Sequence, residues 1–453
     1  MTAVPAPIDA AAAKKQLDKI LGIAKKLAPG AEITASLGSS RTANTRFARS
    51  ELTSNGDVTQ TTLELSVAFG KREASVTTNQ LDETSVRLAI EQAARLARLS
   101  PEDPERQPVL GPQRYVTVKG AFDKATAGLG AVERATAAAA AIDAGTVAGT
   151  TDRLDVAGFY EHTAGGRARA TSAGLFAFHA ATRASFSTTC RTADATGSGW
   201  AGAWSRAAGT IDAGELARVA ADKARRSAKP RALAPGKYQV VLEPAAVDEL
   251  LGFLAGAMNR RTADEGRSYF SKPGGGTRLG EKVLPAHITL TSDPADPDLP
   301  TAPFAGDGLP LARTTWIDKG TIANLQCSRF WAAKHGLAPL GRPGAWRLAG
   351  GSAASVDDLV KGVKKGVLIT RFWYTRWVDP RTMLITGLTR DGVFLIENGA
   401  VTAPVNNFRF NESPLVMLGN SDALTTRVWQ TPGGLVPALR TSEFNLASVS
   451  DAV

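Results

Sequence analysis

The stretch Thr386-Gly-Leu-Thr-Arg-Asp-Gly-Val-Phe-Leu-Ile-Glu-Asn-Gly399 decides the fold of the C-terminal half. Branched and aromatic residues in short runs favour β-strands, whereas Gly, Asn and Asp between the runs favour turns. We therefore expect turns at residues 390–392 and 397–399. The strands predicted around these turns cover residues 367–377, 382–389, 393–397 and 400–410. Such a series is typical of a large antiparallel sheet or an open β-barrel.

The segment at residues 229–236 is the best predicted domain boundary. It contains two prolines followed by a glycine and has no apolar period. We expect an N-terminal domain at residues 1–230 and a C-terminal domain at 231–453. After a strand at 238–242, a helix should open at Pro244, because proline is tolerated in the first helical turn. The stripe predicted to be buried on this helix is Val247, Leu250, Leu251, Leu254 and Met258.

The N-terminal half combines helical and strand patterns. Helices are predicted at residues 9–28, 82–99, 131–143 and 213–228. Asp9 and Asp212 are predicted to cap two of them. Asn55-Gly56 and Gly165-Gly166 are predicted as turns between strands. The fold class is therefore α+β: an N-terminal α/β domain with helices on a mostly antiparallel sheet, then a C-terminal domain that is β-rich with a few helices.

Composition excludes several classes of protein. With 43% hydrophobic and 21% charged residues, the chain can bury a core in each domain. The net charge of +10 is scattered and has no accompanying aromatic-plus-basic module, so nucleic-acid binding is not expected. No run of 18 apolar residues predicts a membrane helix. The two cysteines, Cys190 and Cys327, exclude a disulfide framework and a thiolate zinc site, and a reducing cytoplasm fits them.

No catalytic motif is evident in the sequence. The four histidines, His162, His179, His287 and His335, are too far apart for a His-Glu-x-x-His zinc helix, and Gly-x-Ser-x-Gly does not occur. The glycine-rich residues 272–277 lack the Gly-Lys-Ser/Thr ending of a phosphate loop, which favours a surface turn. The acidic residues 293–298 are interrupted by prolines, which favours a solvated loop over a cation site.

Several stretches, in a shared order, resemble the TldD/PmbA family, also called the modulator of DNA gyrase family. In the N-terminal half the resemblance rests on Arg41-Thr-Ala-Asn44 and Ala74-Ser-Val-Thr-Thr-Asn79. In the C-terminal half it rests on Gly236-Lys-Tyr-Gln-Val-Val-Leu-Glu-Pro244, Gly306-Asp-Gly-Leu-Pro310, Ala332-Ala-Lys-His-Gly336 and the stretch quoted at the start. The resemblance implies a metalloprotease-like fold.

Active members of this family carry His-Glu-x-x-x-His on the first C-terminal helix and a later cysteine as metal ligand. Here the matching helix reads Asp248-Glu-Leu-Leu-Gly-Phe253, so Asp248 and Phe253 occupy the two histidine positions and Glu249 the glutamate position. No cysteine follows Cys327, and Val436-Pro-Ala-Leu-Arg-Thr-Ser442 occupies the region expected for that ligand. Since phenylalanine cannot bind zinc, we expect no catalytic residue, no metal and no cofactor in this chain.

The resemblance implies the PmbA/TldE-type role of a non-catalytic partner. Zinc is then expected only in a TldD-like paralogue, with which this chain forms a heterodimer that cleaves peptides or unfolded proteins in the cytoplasm. The alternatives are a stand-alone homodimer that binds peptides without proteolysis, and an enzyme of another class that uses a cysteine or the late-strand polar groups. Polar and aromatic residues on the late strands are the candidates for lining a substrate cavity: Arg371, Trp373, Tyr374, Arg376, Asn406, Asn407 and Arg409.

Overall fold

The computed structural model describes residues 7–145 and 153–450. Six antiparallel strands form the N-terminal sheet: β1 Glu32–Ala48, β2 Glu51–Phe69, β3 Arg72–Thr78, β4 Asp155–Thr171, β5 Phe176–Arg191 and β6 Ser198–Ser205. Their order is β3-β2-β1-β4-β5-β6. The helices of this half are α1 Ala10–Leu27, α2 Glu83–Leu99, α3 Lys124–Ala127, α4 Ala131–Gly145 and α5 Ala213–Arg226. The predicted helices are confirmed, as are the caps: Asp9 accepts a bond from the Ala12 N–H and Asp212 from the Glu215 N–H.

The C-terminal half, as described through residue 450, contains two sheets and five helices. Its strands are β7 Gly236–Leu242, β8 Thr289–Ser292, β9 Thr314–Asp318, β10 Thr321–Ile322, β11 Trp346–Ala349, β12 Lys365–Asp379, β13 Leu384–Glu397, β14 Ala400–Pro404, β15 Asn407–Glu412, β16 Ser421–Leu424, β17 Trp429–Gln430, β18 Gly434–Val436 and β19 Leu439–Ser450. Its helices are α6 Pro244–Ala257, α7 Arg260–Asp264, α8 Arg329–His335, α9 Val356–Lys361 and α10 Pro414–Gly419.

One of these sheets closes into a five-stranded barrel. The strand order is β12-β7-β19-β15-β13, and β13 pairs back with β12. The pair β12–β7 is parallel and the others are antiparallel. The second sheet has the order β10-β9-β8-β11-β18-β17. Helix α6 packs between them, and its predicted stripe of Val247, Leu250, Leu251, Leu254 and Met258 is buried in their common core. The predicted α+β fold class is confirmed.

Three predicted turns are wrong because each lies inside a long strand. Asn55-Gly56 belongs to β2, and the actual hairpin turn is Arg49-Ser50, both with positive φ. Gly165-Gly166 lies within β4, where a Cβ on Gly166 would come within 2.6 Å of the Ile8 carbonyl oxygen. The glycine is therefore needed for the close approach of the N-terminal segment and not for a turn.

Residues 390–392, the third of these predicted turns, form an irregularity inside β13. The register between β12 and β13 shifts there, and Asp391 has a φ of 57°. The predicted strands 382–389 and 393–397 are therefore one strand, whereas the predicted strand 400–410 divides into β14 and β15. The turn at residues 397–399 is confirmed, with positive φ at Asn398 and Gly399.

Small residues let α5 approach the N-terminal sheet closely. Its buried face consists of Ala213, Ala217, Ala220, Ala221 and Ala224. Opposite this face, a Cβ added to Gly199 on β6 would lie 2.1 Å from the Ala220 carbonyl oxygen. Glycine is thus required at position 199 because the backbones of β6 and α5 are too close for a Cβ atom.

Two Gly→Ala substitutions test this packing. Gly199→Ala should lower the free energy of unfolding by about 1–3 kcal/mol, because α5 must move away from β6. Gly22→Ala is the matched control, since Gly22 is exposed within α1 and an added Cβ meets nothing within 4 Å. It should raise stability by about 0.5–1 kcal/mol. Urea unfolding of both variants measures the difference, and equal effects would contradict the close approach.

A buried polar cluster lies between α4 and the sheet. Arg134 of α4 is fully buried and donates to Asn55 Oδ1 at 2.9 Å and to Thr45 Oγ1 at 3.4 Å. His162 of β4 is 1% exposed, and neither ring nitrogen has a hydrogen-bond partner within the described residues. Desolvation, reinforced by Arg134 and Arg41, lowers the pKa of His162 to about 4.

This histidine should make stability depend on pH. The unfolded chain takes up the His162 proton near pH 6.5, whereas the folded chain does so only near pH 4, so stability falls as the pH drops through that window. We expect a loss of roughly 3 kcal/mol from this residue. Urea midpoints at pH 7 and pH 4 should show a smaller difference for His162→Leu than for the native chain. The pKa of His179 is also lowered to about 4, so this residue contributes to the pH dependence of stability in both the native chain and the variant. An unchanged pH dependence in the variant would exclude this origin.

Candidate functional site

Helix α6 places two carboxylates and one aromatic ring at an open cleft. Proline at the first helical position and the buried stripe fix the helix, which leaves Asp248, Glu249 and Phe253 on the opposite side. The cleft, here called the α6 cleft, has a volume of about 690 Å³. Arg267 and Trp377 also line it. Asp248, Glu249 and Phe253 are the positions at which the family resemblance implies the remnant of a zinc motif.

Asp248 binds a neighbouring loop. Its Oδ2 accepts a bond from the Gly433 N–H at 3.3 Å, and its side chain also bonds with Thr431. A Cβ on Gly433 would lie 2.6 Å from Asp248 Oδ1, so the loop rests directly against the carboxylate. Burial raises the pKa of Asp248, although these hydrogen bonds oppose the shift. The carboxylate therefore holds residues 431–433 in place.

The remaining motif positions are also engaged. The Phe253 ring packs edge-to-face against Trp377, with 5.1 Å between the centroids. Glu249 accepts a hydrogen bond from Thr375 Oγ1. Across residues 7–145 and 153–450, no group of three His, Cys, Asp or Glu side chains is arranged to hold a metal ion. Zinc requires three or four such ligands, so the residues of the α6 cleft do not fit it.

The expected position of the later metal ligand is part of the barrel wall. Residues 436–442 run from β18 into β19, and Val436, Ala438, Leu439 and Thr441 are buried there. The two cysteines lie elsewhere. Burial raises the pKa of Cys190 to about 12, and burial also raises the pKa of Cys327. Both remain protonated at neutral pH, which disfavours nucleophilic catalysis by either thiol.

The acidic residues 293–298 and the glycine-rich residues 272–277 both have structural roles. Asp296 and Asp298 both pair with Arg347, at 2.7 and 2.6 Å, so their charge is compensated by a guanidinium. In the glycine-rich residues 272–277, Gly274, Gly275 and Gly276 have positive φ. Ser271 and Thr277 form a β-bridge that closes this turn.

The seven cavity candidates on the late strands lie in three places. Arg371 is at the junction of the two halves, where its Nε lies 3.0 Å from Asp391 Oδ2 and its guanidinium stacks on Trp200. Trp373, Tyr374 and Arg376 form an exposed ridge on β12. Within it Arg390 covers the Trp373 ring and Arg376 the Tyr374 ring.

The other three candidates belong to the barrel and its border. Asn406 Oδ1 accepts a bond from the Leu233 N–H, and Asn407 Oδ1 accepts one from Thr389. Both asparagines line a cavity of about 200 Å³ beside Asp391. Arg409 donates to Thr386 Oγ1 at 3.4 Å. The seven residues thus do not converge on the α6 cleft, and their role in substrate binding stays a prediction.

Sequence reasoning missed a larger cleft between the two halves. It has a volume of about 920 Å³ and is here called the basic cleft. Its floor is the face of the N-terminal sheet opposite the helices, and its other wall consists of residues 299–302, 344–345 and 430–432. In the sequence, the polar residues Glu161, Thr163 and Arg167 alternate along β4 and indicate one polar face of the strand. Nothing in this local pattern indicates that the C-terminal loops lie against that face.

The two clefts flank one loop. Gln430, Thr431 and Pro432 line the basic cleft, whereas Gly433 lines the α6 cleft and donates to Asp248. Residues 430–433 therefore form a shared wall whose position depends on Asp248.

Among the described residues, no helix is long and apolar enough to cross a membrane.

Comparison with known proteins connects this architecture to a family. A family model described as the PmbA/TldA metallopeptidase C-terminal domain matches residues 235–448. Over 230 residues the chain is 26% identical to a protein of Methanothermobacter thermautotrophicus named metalloprotease. That match covers 47% of this chain and 48% of the relative, so the chain spans about half the length of the curated protein.

Solved structures share the fold over nearly the whole chain. TldE from Thermococcus kodakarensis has a TM-score of 0.85 at 16% identity, covering 96% of this chain and 100% of that one. A candidate modulator of DNA gyrase from Thermotoga maritima has a TM-score of 0.83 at 18% identity, with coverages of 95% and 99%. Another, from Bacteroides thetaiotaomicron, has a TM-score of 0.82 at 21% identity, with coverages of 96% and 99%. Identity this low demonstrates the fold alone.

The domain match and the related metalloprotease assign the C-terminal half, residues 235–448, to the TldD/PmbA family, and the solved structures share the fold of the whole chain.

Proposed function

We propose that this chain is a non-catalytic, cytoplasmic subunit of the TldE/PmbA type that pairs with a zinc-bearing TldD-like paralogue. The pair cleaves or matures peptides and unfolded proteins, and zinc is held by the paralogue alone. The observation that carries the proposal is the packing of Phe253 against Trp377, at a position where the family resemblance implies a histidine ligand.

The chemistry of the α6 cleft supports this assignment. Without a metal ion, water at the cleft is not acidified, and Glu249 has no activated nucleophile to serve. Asp248 is bound to the loop at residues 431–433. The helix of the peptidase fold is thus preserved as a structural wall, which suits a subunit that shapes a cavity for its partner.

The alternative is a stand-alone homodimer that binds peptides without cleaving them. The observation that favours it is the exposed ridge on β12, where Trp373 is 43%, Tyr374 60% and Val378 53% exposed. Exposed aromatic and apolar groups in one place are typical of a protein-binding surface. The same ridge suits a heterodimer equally, so oligomeric state in the presence of the paralogue separates the two functions.

Reconstitution with the TldD-like paralogue of the same genome tests the leading proposal. We expect the two chains to co-elute as a 1:1 complex, with zinc by mass spectrometry in the paralogue alone. Casein cleavage should be faster for the complex than for the paralogue, and chelators should abolish it. A paralogue that binds nothing and cleaves casein equally well by itself would contradict the proposal.

Matched substitutions in the two subunits locate the catalytic glutamate. Glu249→Gln in this chain should leave the cleavage rate of the complex within about twofold, since the proposal assigns the metal-bound water to the paralogue. The corresponding Glu→Gln substitution in the paralogue's motif should lower the rate by at least about a hundredfold. Chelator-sensitive cleavage by this chain alone, lost in Glu249→Gln, would show that it is itself a peptidase.

A further inference from the structure

The basic cleft contains three arginines, Arg167, Arg183 and Arg206. In the described part of the chain none of them has a carboxylate within 4.0 Å, although Arg206 is near enough to Asp123 to help lower the pKa of that carboxyl. Glu161 is the acidic residue in the lining. Arg167 lies over the Phe304 ring at 5.1 Å, and desolvation in the cleft lowers its pKa. The cleft thus presents excess positive charge in a partly desolvated space.

The sheet register fixes the spacing of these charges. Arg167 on β4 pairs with His179 on β5, whereas Arg183 pairs with Thr163. Four residues of β4 separate the two pairs, which corresponds to about 13 Å along the strand. Arg206 follows the last residue of β6, whose partner Ala184 is adjacent to Arg183. Two guanidinium groups therefore lie towards one end of the floor and one towards the other.

The floor of the cleft between these two ends consists of residues with small side chains. Ser40, Gly165 and Ala181 form one row across β1, β4 and β5. Gly38 lies in the next row, opposite Arg167. Small side chains here leave a trough above the sheet, which the C-terminal loops cover at Leu299–Ala302 and Thr431-Pro432. A volume of about 920 Å³ is at the upper end of the range for ligand sites.

We propose that the basic cleft binds an extended acidic peptide segment, with carboxylates four residues apart meeting Arg167 at one end and Arg183 with Arg206 at the other. In an extended chain, residues i and i+4 point to the same side and are about 13 Å apart, which matches the spacing along β4 of the residue pairs that contain Arg167 and Arg183. Arginine is well suited to carboxylates because its planar fork donates two parallel bonds. Single-stranded nucleic acid fits less well, because it needs several aromatic platforms and Trp204 is the aromatic side chain among the lining residues.

An acidic peptide is a substrate class for the proposed function. The inference rests on that function only because it takes the ligand to be a peptide. The shared loop gives the connection, since a segment in the basic cleft lies against Thr431 and Pro432, next to the α6 cleft. The binding test uses the isolated full-length chain without paralogue and without proteolysis. A failure to form the heterodimer therefore leaves the binding result intact, and a failure to bind leaves the heterodimer intact.

Fluorescence anisotropy with a labelled twelve-residue Gly/Ser/Thr peptide carrying Asp at positions 4 and 8 measures the binding. We expect the Asn twin to bind at least about tenfold more weakly, because it loses two charge-assisted contacts. A twin with Asp at positions 4 and 7 should bind about threefold more weakly, because its carboxylates point to opposite sides. Equal affinity for the Asp and Asn peptides overturns the proposal, and so does tighter binding of a twelve-nucleotide RNA.

Substitutions locate the site. Arg167→Gln/Arg183→Gln should weaken binding of the Asp peptide by at least about tenfold. The control Arg95→Gln/Arg313→Gln removes the same charge from exposed arginines outside the cleft and should change the affinity less than about twofold. Thermal unfolding of both variants verifies that they fold. Equal weakening by the two variants indicates general charge attraction and overturns the proposal. Displacement of the peptide by inorganic phosphate, but not by chloride of equal ionic strength, assigns the cleft to small anions and overturns it as well.

Discussion

The buried carboxylate of Asp391 joins the two halves of the molecule. It is 2% exposed, and its charge is compensated by Arg371 of β12 at 3.0 Å and by the Ser198 hydroxyl of β6, which donates at 2.5 Å. A buried charge is tolerated only when its partners are in place. Ser198 belongs to the N-terminal sheet and Arg371 to the barrel, so this requirement fixes one against the other. Arg371 also stacks on Trp200, two residues after Ser198, which strengthens the same contact.

Further links at the junction set the position of α6. Lys223 of α5 pairs with Glu243 at 2.6 Å, and Glu243 is the residue before the first turn of α6. On the other side, Arg261 of α7 pairs with Glu105, in the loop between α2 and α3, at 2.6 Å. Because these contacts cross between the halves, the cleft above the N-terminal sheet and the cleft beside α6 have a fixed relation. The relation between the two clefts is thus maintained by ion pairs between the halves.

Sequence patterns predicted the elements that local chemistry determines. The start of α6 at Pro244 and its buried stripe depend on neighbouring residues, and so do the caps Asp9 and Asp212. The wrongly predicted turns have a different cause, since each polar or glycine residue there serves a distant partner. Asn55 binds Arg134, Gly166 admits the Ile8 carbonyl, and Asp391 binds Ser198 and Arg371. Contacts between residues far apart in the chain produce no pattern in the local sequence, so they could not be predicted from it.

The same distinction applies to the two clefts. The residues at the three positions of the family's zinc motif, Asp248, Glu249 and Phe253, can be read from the sequence because they occupy one helix. The basic cleft could not be read in this way, because its lining comes from five strands of the N-terminal sheet and three segments of the other half. Residues 430–433 connect the two clefts, because Asp248 of α6 accepts a hydrogen bond from Gly433, which directly follows the residues that line the basic cleft. The Asp248 carboxylate therefore has a definite structural role on α6, since it supports the loop that separates the two clefts.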